Sequence, residues 1–327
     1  MTGNKVRLTL FFLGGAALAA AFFLLHPFGA SGKCMRVSYV NPDFACGNNV
    51  AISKGEYSSL ENDISAYILQ QKNAQAVKNV SVYFRDLRNG PTLGINANDD
   101  YAPASLLKLP TIMAMFNRSE EDRTLMAVPL KYAQSEIQGL PATEQHEKPT
   151  PDIKEGGTYT MQDLMRNTIE YSDNLSFYVL LKYMNYTLQD GPGILLRSFQ
   201  ELGVVDPRTP DESTVSVREY AGLFRMLYNA SYLSVEDSET LLDWLAHSTY
   251  NKGIAAGVPK GVTVANKFGE RPLDDGTKQL HDCGIIYFPN NPYTLCVMTQ
   301  GADWDTLAGV IATISKMVYA EVESRKK

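Results

Sequence analysis

The chain has 327 residues, 44% hydrophobic and 20% charged, the composition of a globular protein with enough apolar surface to bury a core. A largely disordered chain, a collagen-like repeat and a small disulfide scaffold are excluded. Thirty Lys and Arg against 36 Asp and Glu give a net charge of −6, so the strongly basic footprint of a nucleic-acid-binding domain is absent.

Leu8 to Leu25 is an uncharged run of eighteen residues, LTLFFLGGAALAAAFFLL, preceded by Lys5 and Arg7 and ended by His26-Pro27. As a helix it would span roughly 27 Å, one hydrocarbon core. It reads as an uncleaved membrane anchor, with a cleaved secretory signal as the alternative. Residues 1–7 then form a cytoplasmic N-terminus, 26–55 a juxtamembrane segment rich in Gly, Ser, Asn and Pro, and 56–327 an extracytoplasmic domain. Export permits disulfides, and the four cysteines fall as two local pairs, Cys34 with Cys46 and Cys283 with Cys296. No Cys-X-X-Cys and no metal-ligand spacing among the four histidines is present, so neither a structural zinc nor any other cofactor is expected.

Along the domain, Leu60, Ile64, Tyr67 and Ile68 keep helical spacing within Glu56 to Gln75. Val80 to Leu87 alternates as a strand, Asn89-Gly90 marks a hairpin turn, and Thr92 to Ile95 is the partner. Ser105 opens an apolar segment, SLLKLPTIMAMF, long enough for a buried helix despite Pro110. Residues 119–160 are polar and proline-containing and read as loops and short helices. Helices are expected over Thr160–Tyr171, Asn174–Met184, Thr214–Tyr228, Val235–His247 and Trp304–Glu323, and strands over Thr263–Lys267, Gly284–Phe288 and Tyr293–Thr299. The Pro-Asn-Asn-Pro turn at 289–292 centres a hairpin in which Cys283 faces Cys296. Strands gathered as hairpins at both ends, with helices between, indicate an antiparallel sheet in an α+β layout.

Three short motifs carry chemistry. Ser105 and Lys108 are three residues apart at a helix start, on one face. Serine is a weak nucleophile that needs a base, and a desolvated lysine can serve, because burial lowers its pKa. On spacing alone Ser105 reads as readily as a helix cap and Lys108 as a solvated lysine; Ser324 to Lys327 repeats the spacing incidentally. Ser172-Asp173-Asn174 lies between two helical stretches, and Lys267-Phe268-Gly269 closes a late strand.

In that order, on those elements, the three motifs resemble the class A β-lactamase and penicillin-binding serine enzyme family. The resemblance covers about residues 56–325. It implies a five-stranded antiparallel sheet flanked by the terminal helices, with an inserted helical subdomain. It further implies that Ser105 is the acylated nucleophile and Lys108 its activating amine. Ser172 relays a proton to the leaving nitrogen, Asn174 holds the substrate's acylamino carbonyl, and Lys267 adds positive potential. Gly269 and Glu270 border the substrate, the backbone N–H of Glu270 joining that of Ser105 in an oxyanion hole. The implied partner is a small β-lactam or a peptidoglycan-like peptide.

Two departures from the family pattern stand out. Phe268 replaces the Thr or Ser whose hydroxyl binds the substrate carboxylate. Only ten residues separate Gly203 from Thr214, where the family carries an Ω-shaped loop with a deacylating Glu. Asp206, Asp211 and Glu212 are the only carboxylates in that interval, and all three read as surface turn acids. Two rivals therefore stand beside a β-lactam-acylating hydrolase: a D,D-peptidase acting on cell-wall peptides, and a catalytically idle binding module.

Overall fold

The computed structural model describes residues 38–41, 57–88, 90, 92–136, 145–147, 153–204 and 214–325. The expected anchor at 8–25, the Cys34–Cys46 pair and the loop acids Asp206, Asp211 and Glu212 lie outside the described residues. Among the described residues, no helix is long and apolar enough to cross a membrane.

Helix α1 (Ser58–Asn73) leads into strands β1 (Asn79–Asp86) and β2 (Thr92–Ile95). A 3₁₀ turn over Ala104–Leu107 then runs into α2 (Lys108–Glu121). The short strands β3 (Pro129–Lys131) and β4 (Thr158–Thr160) pair with each other. Helices α3 (Met161–Glu170), α4 (Asn174–Tyr186), α5 (Gly191–Leu202), α6 (Val217–Tyr228) and α7 (Val235–Ala246) follow. The chain closes with β5 (Val264–Pro272), β6 (Lys278–Ile286), β7 (Tyr293–Gly301) and α8 (Trp304–Ser324). The main sheet has the order β2-β1-β7-β6-β5, antiparallel at every pairing.

Strand periodicity sends alternate side chains to two different cores. Val80, Val82 and Phe84 of β1, Leu295 and Val297 of β7 and Phe268 of β5 meet Leu60, Ile64 and Ile68 of α1 and Leu307, Ile311 and Ile314 of α8. The opposite face, with Tyr83, Ala265, Cys283, Ile285 and Met298, packs on the helices between the strand groups. The sheet is therefore covered on both sides, and β5, at its edge, borders the helical subdomain.

Three features differ from the sequence expectation, each for a physical reason, and one, the tolerated Pro110, agrees with it. The stretch 119–160 contains the β3–β4 ladder, too short for its alternation to register. α5 begins at Gly191-Pro192-Gly193, a string that ordinarily signals a turn; a Cβ at Gly191 would sit 1.6 Å from the Met184 carbonyl oxygen, so the close approach of α4 demands glycine. β5 and β6 extend to Pro272 and back to Lys278 around a tight turn with Gly276 at φ 80°. Their polar ends hid this: His281 and Asp282 are fully buried in β6. Pro110 costs α2 little, because it is the third helical residue and its missing N–H has no intrahelical acceptor there.

Cys283 pairs with Cys296 across β6 and β7, as the hairpin centring requires, and the two are disulfide-bonded with Cα atoms 3.9 Å apart. In unfolded protein without reductant, alkylation should spare both cysteines and label them after reduction. Replacing both with alanine should lower stability by about 2–4 kcal/mol in denaturant unfolding. Labelling of either before reduction would contradict the bond.

Candidate active site

Three elements converge where the edge strand β5 meets the start of α2 and the turn before α4. The 3₁₀ turn carrying Ser105 is pinned from two directions: the buried Tyr220 hydroxyl donates to the Leu106 carbonyl at 3.0 Å, and the Thr111 hydroxyl to the Leu107 carbonyl at 2.8 Å. Ala104, immediately before the serine, is held at φ 49°. Such left-handed non-glycine backbone costs about 1–3 kcal/mol and persists only where surroundings over-determine it. Ser172 is a second case, at φ 54° and 1% exposed. Its neighbour Asp173 caps α4, accepting from Leu175 N at 3.2 Å and Ser176 N at 2.8 Å. The Ser-Asp-Asn turn is thus fixed by the helix that it starts.

Lys108 is 2% exposed rather than solvated. Its Nζ donates to the Ser172 carbonyl at 2.5 Å and to Asn174 Oδ1 at 2.6 Å, with Ser172 Oγ at 3.2 Å. Burial lowers its pKa to about 7, against the opposing charges of Asp173 and Glu270. A neutral amine has two N–H bonds and a lone pair. The two short acceptors take both N–H bonds, which leaves the lone pair to receive a proton.

Lys267 comes from the sheet side, fully buried on β5. Its Nζ donates to Ser172 Oγ at 2.8 Å and to the Phe268 carbonyl at 2.7 Å. Its pKa falls well below the usual lysine value, first through burial and then through the charge of Lys108. Ser172 Oγ therefore sits between two amines. Gly269 follows, and its close contact explains its identity: a Cβ there would lie 2.9 Å from Leu106 Cγ and 3.1 Å from Leu106 N and Pro103 O. The absent side chain lets β5 run directly beside the turn that holds Ser105.

Phe268 points to the other face of β5, its ring stacked on Tyr250 at 4.2 Å. The side chain of Glu270, which the sequence reading used only for its backbone, is also part of the site's rim. Glu270 Oε1 accepts from Glu147 N at 3.0 Å, while Oε2 is buried with no partner among the described residues. Burial raises its pKa, against the backbone N–H groups of Glu147 and His146. The segment 145–147 touches both walls: Gln145 Nε2 donates to the Ser172 carbonyl at 2.9 Å, His146 stacks on Trp304 at 5.4 Å, and Glu147 bridges to Lys252 at 2.5 Å. No sequence signal marks Gln145 or Lys252 as neighbours of the motifs.

Lys108, Ser172, Asn174, Lys267, Gly269 and Glu270 are thus brought around the turn that carries Ser105. The arrangement offers a hydroxyl one helical turn from a deprotonable amine, a second hydroxyl between two amines, and backbone N–H groups on β5 and the 3₁₀ turn. Among the described residues no three His, Cys, Asp or Glu side chains group as a metal site.

A sequence model of the Beta-lactamase enzyme family matches residues 59–322. A β-lactamase of Streptomyces cellulosae is 26% identical over 274 residues, covering 79% of this chain and 83% of its own length. Among solved structures, PBP-A matches with a TM-score of 0.69 at 22% identity, over 85% of this chain and 100% of that one. A mutant of PBP-A, in an acyl-enzyme complex with penicillin G, matches with a TM-score of 0.67 at 24% identity, over 82% of this chain and 97% of that one. At these identities the two structures speak for the fold, a β-lactamase-like α+β architecture.

The Lys108 environment yields a pH profile. Below about 7 the amine is increasingly protonated and cannot act as a base. If Lys108 is the base for acylation of Ser105, labelling by a neutral probe should rise about tenfold per pH unit up to that region and level off above it. Stopped-flow acylation rates across the range check this; a rise continuing toward the ordinary lysine value would contradict it.

Proposed function

The chain belongs to the beta-lactamase enzyme family of serine hydrolases, and on that premise we propose that it forms an acyl-enzyme at Ser105 with β-lactams or related amides. The observation that carries this reading is the buried, deprotonable Lys108, bonded to Ser172 and Asn174 one helical turn from Ser105.

In the proposed sequence, Ser105 Oγ attacks the amide carbonyl and its proton passes to Lys108 Nζ. The developing oxyanion accepts from the backbone N–H groups of Ser105 and Glu270. Loss of a single such donor elsewhere costs roughly 3–4 kcal/mol, so the pair is a major contributor. As the C–N bond breaks, Ser172 Oγ gives its proton to the leaving nitrogen and is reprotonated from the flanking amines. Asn174 orients the acyl side of the substrate and holds Lys108. Hydrolysis then requires a water, a proton acceptor for it, and return of a proton to Ser105 Oγ.

The second reading, a D,D-peptidase acting on cell-wall peptides, is favoured by the ten-residue interval between Gly203 and Thr214, which carries no glutamate in the family's deacylating position. Lys108 would then serve both half-reactions with the natural peptide, while β-lactam esters persist. The similar PBP-A mutant forms an acyl-enzyme complex with penicillin G, which supports acylation in either reading.

The reading extends to location. The uncharged run 8–25, following Lys5 and Arg7, is proposed to anchor the chain, with residues 26–55 as spacer and 56–327 as the exported catalytic domain. The Cys283–Cys296 disulfide supports an oxidising compartment.

Intact-mass measurement after exposure to penicillin G tests the chemistry. The wild type should gain one penicilloyl mass, and Ser105→Ala should gain none. Lys108→Ala should slow labelling by about 10²–10⁴-fold, the usual worth of general-base help. Without a replacement for the Ω-loop glutamate, the adduct should persist rather than turn over. An adduct on Ser105→Ala would remove the nucleophile assignment, and an unlabelled wild type would leave the idle binding module.

A further inference from the structure

The left-handed backbone at Ala104 persists only if the chain is fixed on both sides of it. Downstream, Tyr220 and Thr111 grip the carbonyls of Leu106 and Leu107. Upstream, Tyr101 exchanges both backbone hydrogen bonds with Val215, at 3.1 and 2.9 Å. Ala102 is then held at both of its backbone groups by two side chains of β6. Gln279 Oε1 accepts from Ala102 N at 3.0 Å, and His281 Nε2 lies 3.2 Å from the Ala102 carbonyl oxygen. A carbonyl only accepts, so His281 carries its proton on Nε2. The ring is fully buried and meets Tyr101 edge-on at 5.2 Å. Burial lowers its pKa to about 4, so near neutrality it is the uncharged imidazole, with this single N–H, that makes the bond.

What stands opposite His281 gives this bond its consequence. Its partner across the β5–β6 ladder is Gly269, whose missing Cβ leaves room for Pro103 O and Leu106. Of the two proposed oxyanion donors, the Glu270 N–H belongs to β5 and the Ser105 N–H to the turn. The β5–β6 register fixes His281 relative to the first, and the bond to Ala102 fixes the second relative to His281. We propose that His281 is a positioning residue for the nucleophile: its Nε2–H, acting through Ala102 and the left-handed Ala104, sets where Ser105 stands against β5. The inference rests on the proposed acylation of Ser105 and extends it to a buried side chain that touches no substrate and belongs to none of the three motifs.

Acylation by penicillin G, followed by intact mass over a concentration series, separates the rate at saturation from the half-saturating concentration. His281→Met fills a similar volume without a donor, and His281→Gln keeps an N–H. The methionine variant should acylate about 10²-fold more slowly at saturation, the usual cost of a small misplacement of reacting groups. Its half-saturating concentration should stay within about threefold of the wild type, and the glutamine variant should recover at least about tenfold of the lost rate. Glycine adopts left-handed backbone without steric cost. In an Ala104→Gly background, His281→Met should therefore slow acylation by only about tenfold or less, a coupling that a general loss of stability does not produce. Gln279→Met, which releases the Ala102 N–H instead, supplies the same comparison where His281→Met does not fold. Four results would overturn the assignment while the acyl-enzyme reading stands: wild-type acylation by the methionine variant, a loss expressed only in half-saturation, no recovery with glutamine, or a loss that Ala104→Gly leaves unchanged. Absence of a Ser105 adduct on the wild type would overturn the acyl-enzyme reading and this assignment with it.

Discussion

The site depends on one constraint: an amine is buried where a charge is costly, and short hydrogen bonds hold it there. Lys108 has its pKa lowered to about 7 by desolvation, and its Nζ is fixed by the Ser172 carbonyl and Asn174 Oδ1. Were it solvated, it would remain protonated near neutrality and be useless as a base. Its burial requires that α2, the turn before α4 and the edge of β5 close together around it. Much of the domain's architecture can be read as the means of that closure.

The closure is visible in the backbone. Ala104 and Ser172, one beside the proposed nucleophile and the other between the two lysines, both adopt left-handed conformations. Each is anchored by ordinary structure: Tyr220 grips the 3₁₀ turn, and Asp173 caps α4. Gly269 completes the seam by removing the Cβ that would otherwise push β5 away from Leu106. Lys267 shares Ser172 Oγ with Lys108, and like charges on the two lysines disfavour each other. The pair therefore holds its protons less tightly than either amine would alone.

Much of this was legible in the sequence because it rests on strong local signals. The β6–β7 hairpin follows from Pro289-Asn290-Asn291-Pro292, and its register places Cys283 opposite Cys296. The closing helix announces itself through apolar spacing from Trp304 onward. The Ser105–Lys108 spacing named the pair, yet burial, which decides whether Lys108 is a base or a solvated cation, is set by packing of distant elements. Glu270 shows the same limit: the motif placed its backbone beside Ser105, but nothing local reveals that its carboxyl ends up largely buried and accepting from Glu147 N. The first half of β6 escaped the sequence reading for a related reason. Its His281 and Asp282 look like surface residues, while the sheet buries both and gives Asp282 the Ile254 N–H and the Asn266 amide as donors.

The account stands or falls on the protonation of Lys108. Titration of the lysine side chains by NMR in the free enzyme, with the Lys108 resonance assigned by substitution, measures it without any substrate. The account predicts a midpoint at about 7. A midpoint near the unperturbed value of about 10.4 would mean that Lys108 is a charged structural residue, and would contradict its proposed role as the base for Ser105.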